Sequence, residues 1–186
     1  MPHEVSLLEM LDARERRVQH QQALLAQYHK PLICFTMNIA GPVKDSPLIR
    51  RGFARGQQLL RQQLFRAGLT PLHTDARCEA TGCEAFYVLD AAPLTIKKFT
   101  TDIEDATPLG RLFDMDVLRP DGVKVDRQEL QLEGRRCLIC GGPAKVCSSR
   151  RVHTVAELQA TTTAILTETM DAWDAATAAQ QAIRAL

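Results

Sequence analysis

The stretch Leu109-Gly110-Arg111-Leu112-Phe113-Asp114-Met115-Asp116-Val117 constrains this chain more than any other. Two carboxylates stand two residues apart inside an apolar run. Successive side chains of a β-strand point to opposite faces. Asp114 and Asp116 therefore share one face, flanked by Leu112 and Leu118. Phe113, Met115 and Val117 turn the other way, into a core. Like charges on one strand face repel and are costly to desolvate. A divalent cation resolves both problems, and Mg²⁺ commonly joins a few carboxylates to substrate phosphates. The competing reading is a surface strand with its acids in water, but such strands more often carry Thr, Lys and Ser on the wet face. Arg111 brings forked donors that match phosphate oxygens. Gly110 lets the backbone come close to a ligand.

Charge is distributed unevenly. Lys plus Arg (23) nearly cancel Asp plus Glu (22), leaving +1 over 186 residues. That balance does not suit a general nucleic-acid binder. Locally, Lys44–Arg66 holds six basic residues against one acid, and Gly134–His153 holds five against none. Phe99–Asp121 holds six acids against Arg111 and Arg119. An acidic centre between basic segments fits a metal–polyphosphate ligand, although solvated helix faces produce some of the same pattern. No apolar run approaches the ~18–20 residues of a membrane span. Glu4 and the amphipathic pattern after it argue against a signal peptide. A cytoplasmic protein is expected, with all six cysteines reduced.

The elements follow from pattern. Ser6-Leu7-Leu8-Glu9 is a capping box, and it predicts a helix over Leu7–Tyr28 with Arg14, Arg16 and Arg17 facing solvent. Leu32–Ile39 reads as a buried strand. Ser46 and Pro47 suit a helix start, running to about Ala67 with Ile49, Phe53, Leu60 and Leu64 on its apolar side. Leu72–Cys78 and Glu84–Leu89 predict a hairpin around Thr81-Gly82. Pro93–Ala106 reads as a helix, and Val123–Val125 as a return strand after the Asp pair. The tail from Val155 to Leu186 is helical in propensity. These elements predict an α/β or α+β fold, with a mixed sheet of about four to six strands flanked by helices. The expected division is an α/β catalytic domain over 1–133, with 134–186 as a cysteine-rich element and terminal helix packed on it.

Two further segments carry chemistry. Gly41-Pro42-Val43-Lys44-Asp45-Ser46 ends a strand and begins a helix. A helix N-terminus favours phosphate, and Lys44 adds a full charge. The spacing is not that of a Walker loop. Cys137, Cys140, Cys147 and His153 give three thiols and an imidazole at spacings that suit a closed, structural tetrahedral zinc site. Free thiols and a redox pair are the alternatives. No covalent-nucleophile signature is present. Phosphoryl or nucleotidyl transfer remains. A different reading is a zinc-knuckle RNA- or protein-binding module flanked by Arg135, Arg136, Arg150 and Arg151.

Taken together, Asn38–Ser46, the Gly110–Val117 stretch and the Cys137/Cys140/Cys147 segment resemble the apo-citrate lyase phosphoribosyl-dephospho-CoA transferase family over about Val5–Leu158. The resemblance implies nucleotidyltransferase-like chemistry. The donor is triphosphoribosyl-dephospho-CoA, and the acceptor is a serine of the citrate lyase acyl carrier subunit. Pyrophosphate leaves and a phosphodiester forms. It also implies that Asp114 and Asp116 hold Mg²⁺ on the donor triphosphate and that Arg111 and Lys44 bind phosphate oxygens. Arg50 and Arg51 are candidates for the donor or for an acidic carrier surface. Neither nucleic acid nor membrane is an expected partner. A related enzyme serving another carrier, such as that of malonate decarboxylase, is the neighbouring alternative. Polymerase-β-like enzymes place a Gly-Ser well ahead of the paired acids; here Gly110-Arg111 directly precedes them.

Overall fold

The computed structural model describes residues 3–184. The element order is α1 (Leu7–Tyr28), β1 (Leu32–Met37), α2 (Pro47–Arg66), β2 (His73–Glu79), β3 (Gly82–Val88), α3 (Pro93–Ala106), β4 (Phe113–Leu118), α4 (Ala144–Ser149) and α5 (Val155–Arg184). Short 3-10 turns at Gly110–Leu112 and Arg127–Leu130 complete it. Both expected caps are present. Ser6 and Glu9 exchange capping-box hydrogen bonds, and the Ser46 hydroxyl accepts from Ile49 N–H at 3.2 Å. The end expected for the tail helix at Leu186 lies outside the described residues.

The four strands form one sheet in the order β2-β3-β1-β4. The class is α+β. Every neighbouring pair is antiparallel, so the sheet is not the mixed one expected. The reason is topological. The connections through α2 and α3 each join strands that run parallel, but each leaves one strand's width between them. β3 fills the first gap and β1 the second, both running antiparallel. Val123–Val125 does not become a strand. It makes an isolated bridge, Leu118 to Lys124, with Val125 N–H on Val117 O at 2.8 Å.

Two cores sandwich the sheet. The larger lies under α2, α3 and α5 and contains Phe35, Phe53, Leu60, Phe113, Met115 and Val117. Burying a side chain of this size contributes roughly 1.5–3 kcal/mol. Gly56 allows α2 to lie close, since a Cβ there would strike the rings of Phe35 and Phe113. The smaller core lies under α1, where Leu24 and Leu25 cover Leu32, Cys34, Phe86 and Val88. Along most of its length α1 faces polar sheet positions instead. Arg17, expected in solvent, donates to Glu84 at 2.5 Å, and His20 pairs with Asp75 at 2.8 Å. Leu7, Leu11 and Val18 are left exposed. From α5, Leu166 and Met170 enter the larger core, and Arg51 pairs with Asp174 at 2.6 Å. Among the described residues no helix is long and apolar enough to cross a membrane. The cysteines are not all free. The hairpin register sets Cys78 opposite Cys83, with their Cα atoms 4.0 Å apart, and the two are disulfide-linked.

β4 is an edge strand, and its outer edge is sealed by side chains. Glu104 of α3 accepts Met115 N–H at 2.7 Å, and Lys97 donates to Met115 O at 3.4 Å. Arg135 donates to Phe113 O at 2.6 Å. An unpaired buried N–H is expensive. We expect Glu104→Ala to cost roughly 2–4 kcal/mol in urea unfolding, because it strands that N–H and the neighbouring cations. Glu104→Gln, which keeps an acceptor, costs less. Equal stability of all three proteins excludes this role for Glu104.

Candidate active site

Alternation along β4 places the two acids as expected. Phe113, Met115 and Val117 are fully buried, while Asp114 and Asp116 are half-buried on the opposite face. Asp114 stands across from Thr36 and Asp116 from Cys34. α1 packs on this face over β1 and β3, at Leu32, Cys34, Phe86 and Val88, and meets β4 at Leu118. The acids thus sit on an uncovered part of the sheet, in a groove of about 960 Å³ shared with Lys97, Glu104 and Lys124.

Their charges are unequally compensated. Asp116 pairs with Lys124 at 2.5 Å, whereas the guanidinium of Arg135 comes no closer than 4.0 Å to Asp114. Burial raises the Asp114 carboxyl above its ordinary range, and the charge of Asp116 raises it further. Burial works against the charged form of Lys124, but its hydrogen bond and attraction to Asp116 outweigh that, and its net shift is upward. Burial likewise raises the carboxyl of Glu104 and lowers the ammonium of Lys97. Two carboxylates with such incomplete compensation form an oxygen donor set that suits a hard divalent cation.

Sequence reasoning gave no site role to Lys97, Glu104, Lys124 or Arg127, which line this groove, and named Arg135 only as a neighbour of the cysteines. A signal existed for two of them. Lys97 and Glu104 stand seven apart on α3, each directly following a buried isoleucine, Ile96 or Ile103. Such spacing returns a residue to the same helix face. The others come from irregular segments that only the tertiary structure brings here.

The other candidates divide. Arg111 leaves the 3-10 turn ahead of β4 and lies between Asp105, at 3.5 Å, and the carbonyl of Arg136. Gly110 is buried against the carbonyls of Ile103 and Glu104, where its missing Cβ allows the turn to close on α3. Lys44 donates to Ile39 O at 2.5 Å and lines a second, neighbouring groove with Arg111. Arg50 is held by Asp45 at 2.6 Å and 2.7 Å. With Arg51 tied to Asp174, neither arginine lines either groove.

Cys137, Cys140, Cys147 and His153 come together, with their ligand atoms all within 4.8 Å of one another. A tight knuckle builds this cluster. Cys137 N–H donates to Gly142 O at 2.6 Å, and Gly141 turns the chain with φ +70°. The Gly142 backbone and the His153 ring hold the Cys140 thiol down at about 6. Its hydrogen bond to Cys140 pushes the Cys147 thiol up to about 11. His153 Nε2 is buried without a hydrogen-bond partner. A buried orphan nitrogen among three thiols is the arrangement of a group that can hold a metal ion.

The charge environment of Asp114 is testable. In an NMR titration of its carboxyl, we expect Asp116→Asn to lower the midpoint, by removing a neighbouring negative charge. Lys124→Met should raise it, by removing a positive one. Midpoints that do not move would show that the two acids do not share a site.

The model of a protein family described as apo-citrate lyase phosphoribosyl-dephospho-CoA transferase matches residues 5–169. Proteins of that name are similar to this chain in Citrobacter koseri (37% identity) and in Escherichia coli O1:K1 and Shigella boydii serotype 18 (36% each). Each alignment spans 156 residues, 84% of this chain and 85% of the relative. With most of its length matched, the chain belongs to the apo-citrate lyase phosphoribosyl-dephospho-CoA transferase family.

Proposed function

We propose that this protein transfers the phosphoribosyl-dephospho-CoA group from triphosphoribosyl-dephospho-CoA to a serine of the citrate lyase acyl carrier subunit. The carrier hydroxyl attacks the ribose-bound phosphorus and gives up its proton to the surrounding water. A phosphodiester forms, the bond to the outer two phosphates breaks, and pyrophosphate leaves with the electron pair. The observation that carries this reading is the under-compensated Asp114/Asp116 pair in an open groove rimmed by cations, within a chain of this family. Residues 1–133 act as the catalytic unit, and 134–186 as its cysteine-rich appendage. The reaction belongs in the cytoplasm, where nucleotide donors and Mg²⁺ occur together.

Asp114 and Asp116 would hold Mg²⁺, which when bound withdraws charge from the triphosphate. The protein does the rest by position. Lys124, on the turn after β4, is close enough to exchange Asp116 for a phosphate oxygen. Arg111 and Lys44 take phosphate oxygens of the donor from the neighbouring groove, and Gly110 holds Arg111 in place. Arg50 and Arg51 stand farther out, and would meet an acidic carrier surface by exchanging Asp45 and Asp174 for it. Fixed cations aimed at the oxygens of the departing pyrophosphate favour the transition state. Cys137, Cys140, Cys147 and His153 would hold zinc, which would supply a structural cross-link there.

We expect Asp114→Asn and Asp116→Asn each to slow transfer by at least about 100-fold, with unfolding unchanged. Intact-mass analysis of the apo carrier after incubation with donor and Mg²⁺ measures this directly. Wild-type transfer in either variant rejects the assignment. For the knuckle, elemental analysis should find about one zinc per chain, and chelation should raise hydrogen exchange in 134–153 before it rises in the sheet. Protein free of zinc with a protected knuckle counts against it.

A further inference from the structure

The groove beside the carboxylate site has a volume of about 780 Å³, within the range of small-molecule sites. It lies between the loop after β1, the knuckle and the start of α5. Arg135 and Arg136 line both grooves, so the two adjoin. They differ in charge. Asp114, Asp116 and Glu104 line the first. Lys44, Arg111, Arg135, Arg136 and Arg151 line the second, and among its described lining residues there is no Asp or Glu.

Their counter-charges lie outside the groove: Asp105 is 3.5 Å from Arg111, Glu133 is 3.3 Å from Arg136, and Glu104 and Asp114 come only within 4.0 Å of Arg135, while Lys44 and Arg151 have no carboxylate partner among the described residues. The ammonium of Lys44 is held by a carbonyl, Ile39 O at 2.5 Å, and burial followed by the charge of Arg14 lowers it. Arg135 Nε is buried without any hydrogen-bond partner. Burial lowers Arg111, and the facing charge of Arg135 lowers it further. Concentrated positive charge against low-dielectric walls attracts an anion. A site with no carboxylates binds that anion directly, without a metal, and forked guanidiniums suit phosphate. The concave shape and the half-buried depth of Lys44, Arg111 and Arg135 favour a small polyanion over a protein surface.

We propose that the second groove binds a nucleoside diphosphate moiety without metal, namely the dephospho-CoA half of the donor, while the carboxylate groove takes the reacting triphosphate. The identity of this ligand rests on the transfer reaction proposed above. One donor molecule would then cross from groove to groove past Arg135 and Arg136.

Calorimetric titration of the full chain, with its knuckle metal left in place, with dephospho-CoA in Mg²⁺-free buffer without chelator tests this. We expect saturable binding that the double variant Arg136→Glu/Arg151→Glu weakens at least about tenfold, since each arginine supplies a charge-assisted contact. Both side chains are exposed, so the fold should survive, and thermal unfolding checks that. Asp114→Asn should leave this binding unchanged. The proposal is overturned if dephospho-CoA does not bind, or if the double variant binds it as tightly as the wild type. A double variant that loses affinity only for the apo carrier also overturns it and makes the groove a protein-docking surface. Loss of dephospho-CoA binding in Asp114→Asn places the diphosphate in the first groove instead. Failure of the transfer reaction itself is a separate result: it shows as an unmodified carrier in the mass assay and leaves the Mg²⁺-free titration readable.

Discussion

Glu104 accepts the outward N–H of Met115 at 2.7 Å, and much of the site follows from that hydrogen bond. β4 carries the paired acids, yet it is the last strand of the sheet, with one edge unpaired. An open edge would leave backbone groups stranded or invite another strand. Instead α3 reaches over with Glu104 and Lys97, and the segment before the knuckle reaches back with Arg135. The seal is ionic because it caps both donors and acceptors of one strand edge. Buried charges need partners, and Glu104 finds them in Arg127 at 3.2 Å and Arg135 at 4.0 Å. The network that closes the sheet thus also brings cations to the rim of the Asp114/Asp116 groove.

The topology explains why this edge is free. Each helical crossover skips one strand position, and an antiparallel strand fills each gap. β1 becomes central, and β4 is left outside with one face partly bare. α1 lies over the neighbouring strands, where its polar side meets Glu84 and Asp75 while several of its leucines remain in water. A groove remains where a continuous helical layer would otherwise have buried the acids. Asp114 and Asp116 keep their unequal counter-charges there, one matched by Lys124 and the other held at a distance from Arg135.

The cysteine cluster makes a similar point about local and distant information. Cys137, Cys140 and Cys147 are close in sequence, and the turn at Gly141 brings them together without help from the sheet. His153 completes the group as the chain leaves α4. Its place in sequence also makes the knuckle a wall of both grooves, so its integrity bears on the shape of the neighbouring anion site.

Local pattern was sufficient wherever period and capping dominate. The strict alternation of β4 determined which residues face the core and which carry the acids. The Ser6 capping box and the Ser46-Pro47 start determined where α1 and α2 begin, and cysteine spacing picked out a possible metal cluster. Strand direction, the free edge and the second groove were not legible, because they depend on which strand fills the gap left by each crossover. Arg50 and Arg51 look like ligand residues in a basic helix, yet their partners are Asp45, close in sequence, and Asp174 on a distant helix. Glu104 and Lys97 read as ordinary helix charges until α3 is laid along β4. The sequence by itself determined the acid pair, the elements and the family resemblance, since these rest on nearest-neighbour geometry and motif. Only the tertiary structure decided which cations surround the acids, because burial and counter-charge arise between segments far apart in the chain.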